Sequence, residues 1–506
     1  MPDDSLPDVA EQKAKALLEW LAATHGDATR DDVDILRDHL LGLRGAPLPP
    51  ARHLQVLDFI YEHVIKIVAS TLPTLHDVSL PISRKTRQEA RKVQQLLETL
   101  SQDYLISLAA IFDPVSNDKP HAPEIAIWRA VDALGLHLMI SHLAASPPEV
   151  GIWRMMHGAY RSARCYGLAT RRIPKQENTL EQRYLSSILL ACSQPASFSS
   201  SELEFIAEYI PLCIDTVTLS DRPQANCRGL FWIDPDKDGP ASPLARRQPP
   251  PNTTVLFFAC DTIASTARDH LEALEKAYPA YQLGLPAFAE TSAGLGVLRR
   301  LAARWGRPSK RRFPRRRHSY RATLCAGLDD LWHLMHAPDE AVETTSEWMI
   351  INESPDGCAM MHMSGKTDHL RVGDLVAFRP EIENETALPA WNVCIVRWAL
   401  SENPEHIELG LQILAPTGEP ALVQLNDGAN RPTHISGLLL PSIPPMRSTE
   451  MLVLHTGALA NHPDKLTVAV GKEKSTLREL EMVGLSEQTA SVEAFNVVSD
   501  GNRLPQ

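Results

Sequence analysis

The chain has 506 residues, 44% of them hydrophobic and 22% charged, and a formal net charge of −12. That length exceeds one ordinary domain and suggests three or four. The composition is that of a soluble globular protein, not a disordered one, and the acidic balance argues against non-specific nucleic-acid binding by the whole chain. No run approaches the roughly 18 apolar residues that cross a membrane, and the N-terminus MPDDSLPDVAEQ lacks the apolar stretch of a signal peptide. Eight scattered cysteines without a CxxC favour neither a disulfide framework nor a zinc site, so a reducing cytoplasm is the expected compartment.

The first third reads as helix after helix. Residues 9–24 are periodic, and 51–70 follow the Pro49-Pro50 stop. Residues 83–112 carry Ala90, Val93, Leu97, Leu100, Tyr104, Leu108 and Ile111 at helical spacing, with Ser83 as N-cap. Further helices are expected near 123–145, 148–170, 178–193 and 200–213. Trp153, Met156, His157 and Tyr160 resemble the first helix of a tetratricopeptide repeat. No second copy recurs at a fixed period, so the reading is stacked helical hairpins.

From 216 to 303 the pattern is mixed. A strand at 229–234 precedes a proline-rich loop at 240–251, then a strand or helix start at 254–260 and helices at 262–277 and 293–305. Beyond 320 the period becomes two. Strands are predicted over 320–326, 348–352, 358–363, 374–378, 391–399 and 407–414, interrupted by a helix at 328–336. A second strand-rich block covers 435–440, 451–454, 466–470, 477–481 and 491–498, and the stretch 416–432 between the blocks reads as a linker or irregular extension. The expected fold class is multidomain α + β. A helical domain at 1–215 and a small mixed segment at 216–305 precede an antiparallel β-barrel at 306–418 with an N-terminal arginine loop. A β-rich domain at 419–506 closes the chain.

Residues 304–321 read RWGRPSKRRFPRRRHSYR. Eight arginines, one lysine and no acid put +9 in this run and leave −21 on the rest. Like charges repel and little here can be buried, so the run is expected to stay unfolded until an anion or solvent compensates it. The bias toward arginine is chemically specific. A guanidinium is a planar fork that matches phosphate oxygens and the O6/N7 edge of guanine, and it stacks on flat rings. Downstream, Asn352-Glu353-Ser354-Pro355-Asp356-Gly357 follows the apolar strand Trp348-Met-Ile-Ile351. Asn and Ser offer short hydrogen-bonding side chains, and Gly357 permits a tight or positive-φ turn.

Together these elements resemble the PilZ family, whose pattern is RxxxR before the first barrel strand and [D/N]xSxxG after a later one. Arg317-His-Ser-Tyr-Arg321 fills the first motif, the register next to the strand being preferred over 307/311, 311/315 and 312/316. Asn352, Ser354 and Gly357 fill the second. Later strands also match, and the resemblance covers about 310–416. It implies cyclic di-GMP as ligand. Arg317 and Arg321 would grip guanine edges and phosphates, Asn352 and Ser354 would contact a guanine, Gly357 would shape the turn, and Arg316 would add a phosphate contact. It further implies a bacterial effector of pilus, flagellar or biofilm programmes. Its helical N-terminal part would meet an unidentified protein partner, and ligand-driven ordering of the arginine loop would reorient that part.

Two other readings compete: a scaffold with a degenerate barrel, and an RNA-binding regulator using the arginine run. No GxSxG, HExxH or P-loop is present, so neither an enzyme nor a cofactor is expected. His137 and His142 read as satisfied core or interface histidines. His333 and His336 lack a cysteine or acid pair, and no metal site is expected.

Overall fold

A computed structural model describes residues 6–23, 32–44, 48–76, 82–112, 123–308, 313–337, 345–367, 370–381, 390–403, 406–425, 433–459, 465–471 and 476–499. The chain opens with α1 (Leu6–Ala23), α2 (Asp32–Arg44), α3 (Pro50–Thr71), α4 (Arg84–Phe112), α5 (Pro123–Leu143), α6 (Ile152–Cys165), α7 (Leu180–Cys192) and α8 (Ser200–Cys213). Ser83 caps α4, its hydroxyl accepting the Thr86 N–H at 3.1 Å, and the periodic residues of that helix are buried. Thr179/Gln182 and Ser199/Glu202 form reciprocal capping boxes that start α7 and α8. Helix α2 is absent from the sequence reading. Its buried Val33, Leu36, Leu40 and Leu43 have helical spacing over only 13 residues, a short signal among acids.

The face of α6 bearing Trp153, Met156, His157 and Tyr160 is buried. His157 is fully satisfied. Its Nε2 meets the Gly239 carbonyl at 2.9 Å and must donate there, so Nδ1, 2.7 Å from the Tyr184 hydroxyl, accepts. This bond ties the helices to the mixed segment. There β1 (Leu230–Ile233), β2 (Ser242–Pro243) and β3 (Leu256–Ala259) form an antiparallel sheet of order β2-β1-β3, with α9 (Asp261–Glu275) and α10 (Ser292–Gly306) beside it. The short β2 falls within the stretch read as a loop. Phe231, Phe258, Leu298 and Trp305 join the same core as the helices.

Two closed antiparallel barrels follow. The first contains β4 (Arg316–Ala326), β5 (Thr345–Ser354), β6 (Gly357–Gly365), β7 (Leu375–Pro380), β8 (Asn392–Asn403) and β9 (His406–Ala415), in the order β4-β5-β6-β9-β8-β7. Helix α11 (Leu328–His336) is inserted after β4. The second contains β10 (Glu419–Leu425), β11 (Thr433–Leu440), β12 (Glu450–His455), β13 (Lys465–Val470), β14 (Thr476–Gln488) and β15 (Val492–Ser499), in the order β10-β11-β12-β15-β14-β13. The two orders are the same topology. Residues 419–425, read as linker, are thus the first strand of the second barrel.

The barrels share a core. Val376, Phe378, Cys394 and Val396 point into the first barrel, while their neighbours Leu375, Ala377, Val393 and Ile395 pack outward against Leu438, Leu440, Met451 and Val453 of the second. Strands β7 and β8 are therefore buried on both faces, which explains their unbroken apolar runs. Leu331 and Met335 of α11 complete this layer, and Trp332 Nε1 donates to the Ala421 carbonyl at 3.1 Å. At the other end, Ile82 and Ala144 from the helices enter the first barrel's core cluster. Arg87 forks onto the carbonyl and hydroxyl of Ser401 at 2.7 Å each, and the Ser401 N–H donates to the Ala145 carbonyl at 2.8 Å.

Leu331 is fully buried between the barrels. Leu331→Ala is expected to cost about 2–5 kcal/mol in urea unfolding, whereas Leu331→Met stays under about 1.5 kcal/mol because it conserves volume.

Candidate functional site at the first barrel

The two ends of the arginine run lie in different elements, α10 and β4. Its first arginine, Arg304, lies in α10, where it donates to the Ser193 carbonyl and sits 4.7 Å from the Phe198 ring centroid. Burial, then the neighbouring Arg300 and Arg397 charges, push its guanidinium down to about 9. Residues 309–312, and with them Arg311 and Arg312 of the registers 307/311, 311/315 and 312/316, lie outside the described residues. Arg316, Arg317 and Arg321 all stand on β4.

Pairing of β4 with β5 sets the site. Arg317 is registered opposite Asn352, Arg316 opposite Glu353 and Arg321 opposite Met349. His318 and Ser319 together oppose the single Ile351, and Ile351 is also the extra residue against β6. A bulge on each side of one strand bends it and re-aims the side chains that follow. Arg316, Arg317 and Arg321 are exposed, and none makes a side-chain hydrogen bond or ion pair among the described residues. Directly across from Arg317, the Asn352 Oδ1 is buried and has no hydrogen-bond partner. An amide oxygen kept from both water and protein donors is costly.

Ser354 and Gly357 pair with each other across the tight β5–β6 turn. The Ser354 hydroxyl lies 2.7 Å from the Asp356 carboxylate and 2.9 Å from the Gly357 carbonyl, so it is engaged inside the hairpin turn. Gly357 does not adopt a positive φ. A glycine is needed there because β9 comes close: a Cβ would lie 2.2 Å from the Leu411 carbonyl oxygen. The turn therefore holds Asn352 in place through backbone contact with β9.

Several neighbours escaped sequence reasoning. The Tyr320 hydroxyl donates to Glu353 at 2.9 Å, occupying the carboxylate nearest the arginines. Gln412 is registered opposite Gly357 and accepts from Arg397 Nε at 2.7 Å. Arg397 also forks onto Glu487 of the second barrel. Burial opposes charge on Glu487, but the fork outweighs it and holds the carboxyl below its usual range. The turn borders a cavity of about 600 Å³ lined in part by Asp356, Gln412, Arg447 and Glu487. Residue types alone give no hint of these pairs, because Arg397 and Glu487 lie 90 positions apart.

The histidine expectation is corrected. His137 is in the core and His142 at the joint with the first barrel, but both ring nitrogens of His137 and Nε2 of His142 lack partners. Burial pushes both down to about 4, so they stay neutral. Ligand-type atoms of Glu98 and Glu149 come within 4.8 Å of each other and of the His137 ring, a grouping the sequence spacing does not show. His336 stacks on Trp332, at 4.7 Å between ring centroids.

Residues 334–420 match the family model described as the cyclic-di-GMP receptor FimW, middle PilZ domain. The first barrel is thus the part of the chain that is similar to a PilZ domain. The matched span contains the Asn352 turn and begins after the arginines of β4. Residues 15–224 match the model described as the N-terminal domain of the same receptor. The chain is 23% identical over 520 residues to the cyclic-di-GMP receptor FimW of Pseudomonas aeruginosa, across 85% of this chain and 82% of that one.

Gly357→Ala is expected to destabilise the folded protein by about 1–3 kcal/mol, through the clash with Leu411. Asn352→Ala, which breaks no hydrogen bond, stays within about 0.5 kcal/mol in the ligand-free protein. Urea unfolding of the two variants checks the contrast.

Proposed function

We propose that this chain is a receptor for cyclic di-GMP, bound at the corner formed by β4, β5 and the β5–β6 turn. One observation carries the reading: partner-free Arg317 stands opposite the unsatisfied Asn352 oxygen. A guanine offers N–H donors on one edge and the O6/N7 acceptors on another. Asn352 Oδ1 suits the first and an arginine fork suits the second. Arg316 and Arg321 supply further charge for the two phosphates. Ser354 and Gly357 position Asn352 without touching the ligand. The relative described as a cyclic-di-GMP receptor supports the same ligand.

The receptor acts as an effector and not as a catalyst, in the cytoplasm, and passes the signal to a protein partner through its helical region. The joints at Ser401, Ile82 and Ala144 support that route, because they couple the helices to the same barrel. Pilus-linked surface behaviour is the programme that the relative suggests. Reorientation of the helical part by an ordering loop is less favoured than a change at these joints, since both flanks of the basic run are already held in α10 and β4.

Isothermal titration calorimetry of the full chain with cyclic di-GMP tests the assignment. Arg317→Ala, Arg321→Ala and Asn352→Ala should each weaken binding at least tenfold, with melting temperatures nearly unchanged. Each lost charge-assisted bond is worth about 1.5–3 kcal/mol. Folded protein that gives no heat would instead favour the degenerate scaffold.

A further inference from the structure

The front of the arginine run belongs to a different place. Arg304 and Arg307 line a cavity of about 770 Å³ together with Arg228, Arg246, Arg268 and Arg299. These residues come from the start of β1, the proline-rich loop, α9, α10 and the segment that follows α10. The single carboxylate in the lining, Asp261, is already occupied, accepting the Arg228 and Gly229 backbone N–H groups at 3.0 Å each. Arg299 is held by Glu275 at 2.8 Å and Gln488 at 2.7 Å. The Arg228, Arg268 and Arg307 guanidiniums have no partner among the described residues. Six arginines against one carboxylate in the described lining, with Glu275 paired to Arg299, leave a net positive charge on concave walls that focus the potential inward.

We infer that this cavity is a second anion site, separate from the barrel corner, and that it takes a compact chain of phosphates such as a nucleoside triphosphate or inorganic polyphosphate carries. The lining favours phosphate. Among the described residues it is mostly guanidiniums, with Leu271, Ala302, Ala303 and Pro308 as its apolar share. Guanidinium forks facing one volume from several elements suit a ligand with many equivalent oxygens. The size lies within the range of small-molecule sites. None of Arg316, Arg317, Arg321 or Asn352 contributes to it.

The site also has a path to the barrel. Arg304 and Gln194 are shared with an adjoining cleft of about 650 Å³, whose other wall carries Arg397, Trp398 and Gln412 of the first barrel. Arg304 is crowded by Arg246, Arg300 and Arg397, which disfavour its charge. An anion on the Arg304 side relieves that crowding and stabilises the joint between helices and barrel.

Calorimetry and thermal unfolding of the full chain at about 0.15 M salt with tripolyphosphate, ATP and adenosine test the inference. Tripolyphosphate and ATP are expected to bind and raise the melting temperature, and adenosine is not. Equal affinity for the first two marks the bare phosphate chain as the recognised group. Tighter ATP binding marks a nucleotide. The Arg228→Ala/Arg268→Ala double variant should weaken both at least tenfold without lowering the melting temperature of the ligand-free protein. Arg317→Ala/Arg321→Ala should leave both unchanged. Absence of binding, or binding insensitive to the first double variant, overturns the inference. So does loss of binding in the second, which would place the anion at the barrel corner. Because cyclic di-GMP titrations respond to the opposite pair of variants, failure here and failure of the receptor reading give different results.

Discussion

Strand β4 is paired on both edges, with β5 along one side and β7 along the other, and this double pairing closes the first barrel. The site depends on it. The ladder with β7 holds Ala322 to Ala326, the buried half of the strand, while the exposed half continues beside β5 past the bond from the Glu381 N–H to the Arg321 carbonyl. The arginines are thereby held out from a rigid barrel, in fixed register with Asn352. A charged segment that would be unfolded by itself is ordered by the apolar half of the strand that continues it.

The second barrel shows what the same topology looks like without such a site. Its corresponding corner pairs Glu419 with Leu439 and Pro420 with Leu438. An acid and a proline replace the arginines, and apolar side chains replace the amide. Leu438 is buried in the layer between the barrels. This barrel's contribution is to bury the outer faces of β7 and β8 and to anchor Arg397 through Glu487. The Arg397 fork then steadies Gln412 beside the Gly357 turn.

Much of this was legible in the chain itself. Period-two alternation or, in β7 and β8, a short unbroken apolar run marks the strands of the first barrel. The long interval between Arg321 and Asn352 holds the rest of β4, the start of β5 and, between them, α11, whose Leu328, Leu331 and Met335 already looked helical. Strand β10 was not legible: only Ala421 and Val423 face its barrel core, and Gly418 and Pro420 punctuate it like a linker. The partners of the first arginine of the run were not legible, because repulsion along the sequence says nothing about partners elsewhere. Arg304 finds Ser193 and Phe198 more than a hundred positions away. The need for Gly357 is likewise set by β9 and not by its own turn. Motif spacing identified which residues gather at the corner. Which of them remain free to bind became clear only from the unsatisfied Asn352 oxygen and the engaged Ser354 hydroxyl.

The most direct test of this account is a crystal structure of the full chain with cyclic di-GMP. It should show a guanine N–H within about 3.2 Å of Asn352 Oδ1, the same nucleotide held by Arg317, and the Ser354 hydroxyl still inside its turn. A ligand bound elsewhere, with the Asn352 oxygen left uncovered, would contradict it.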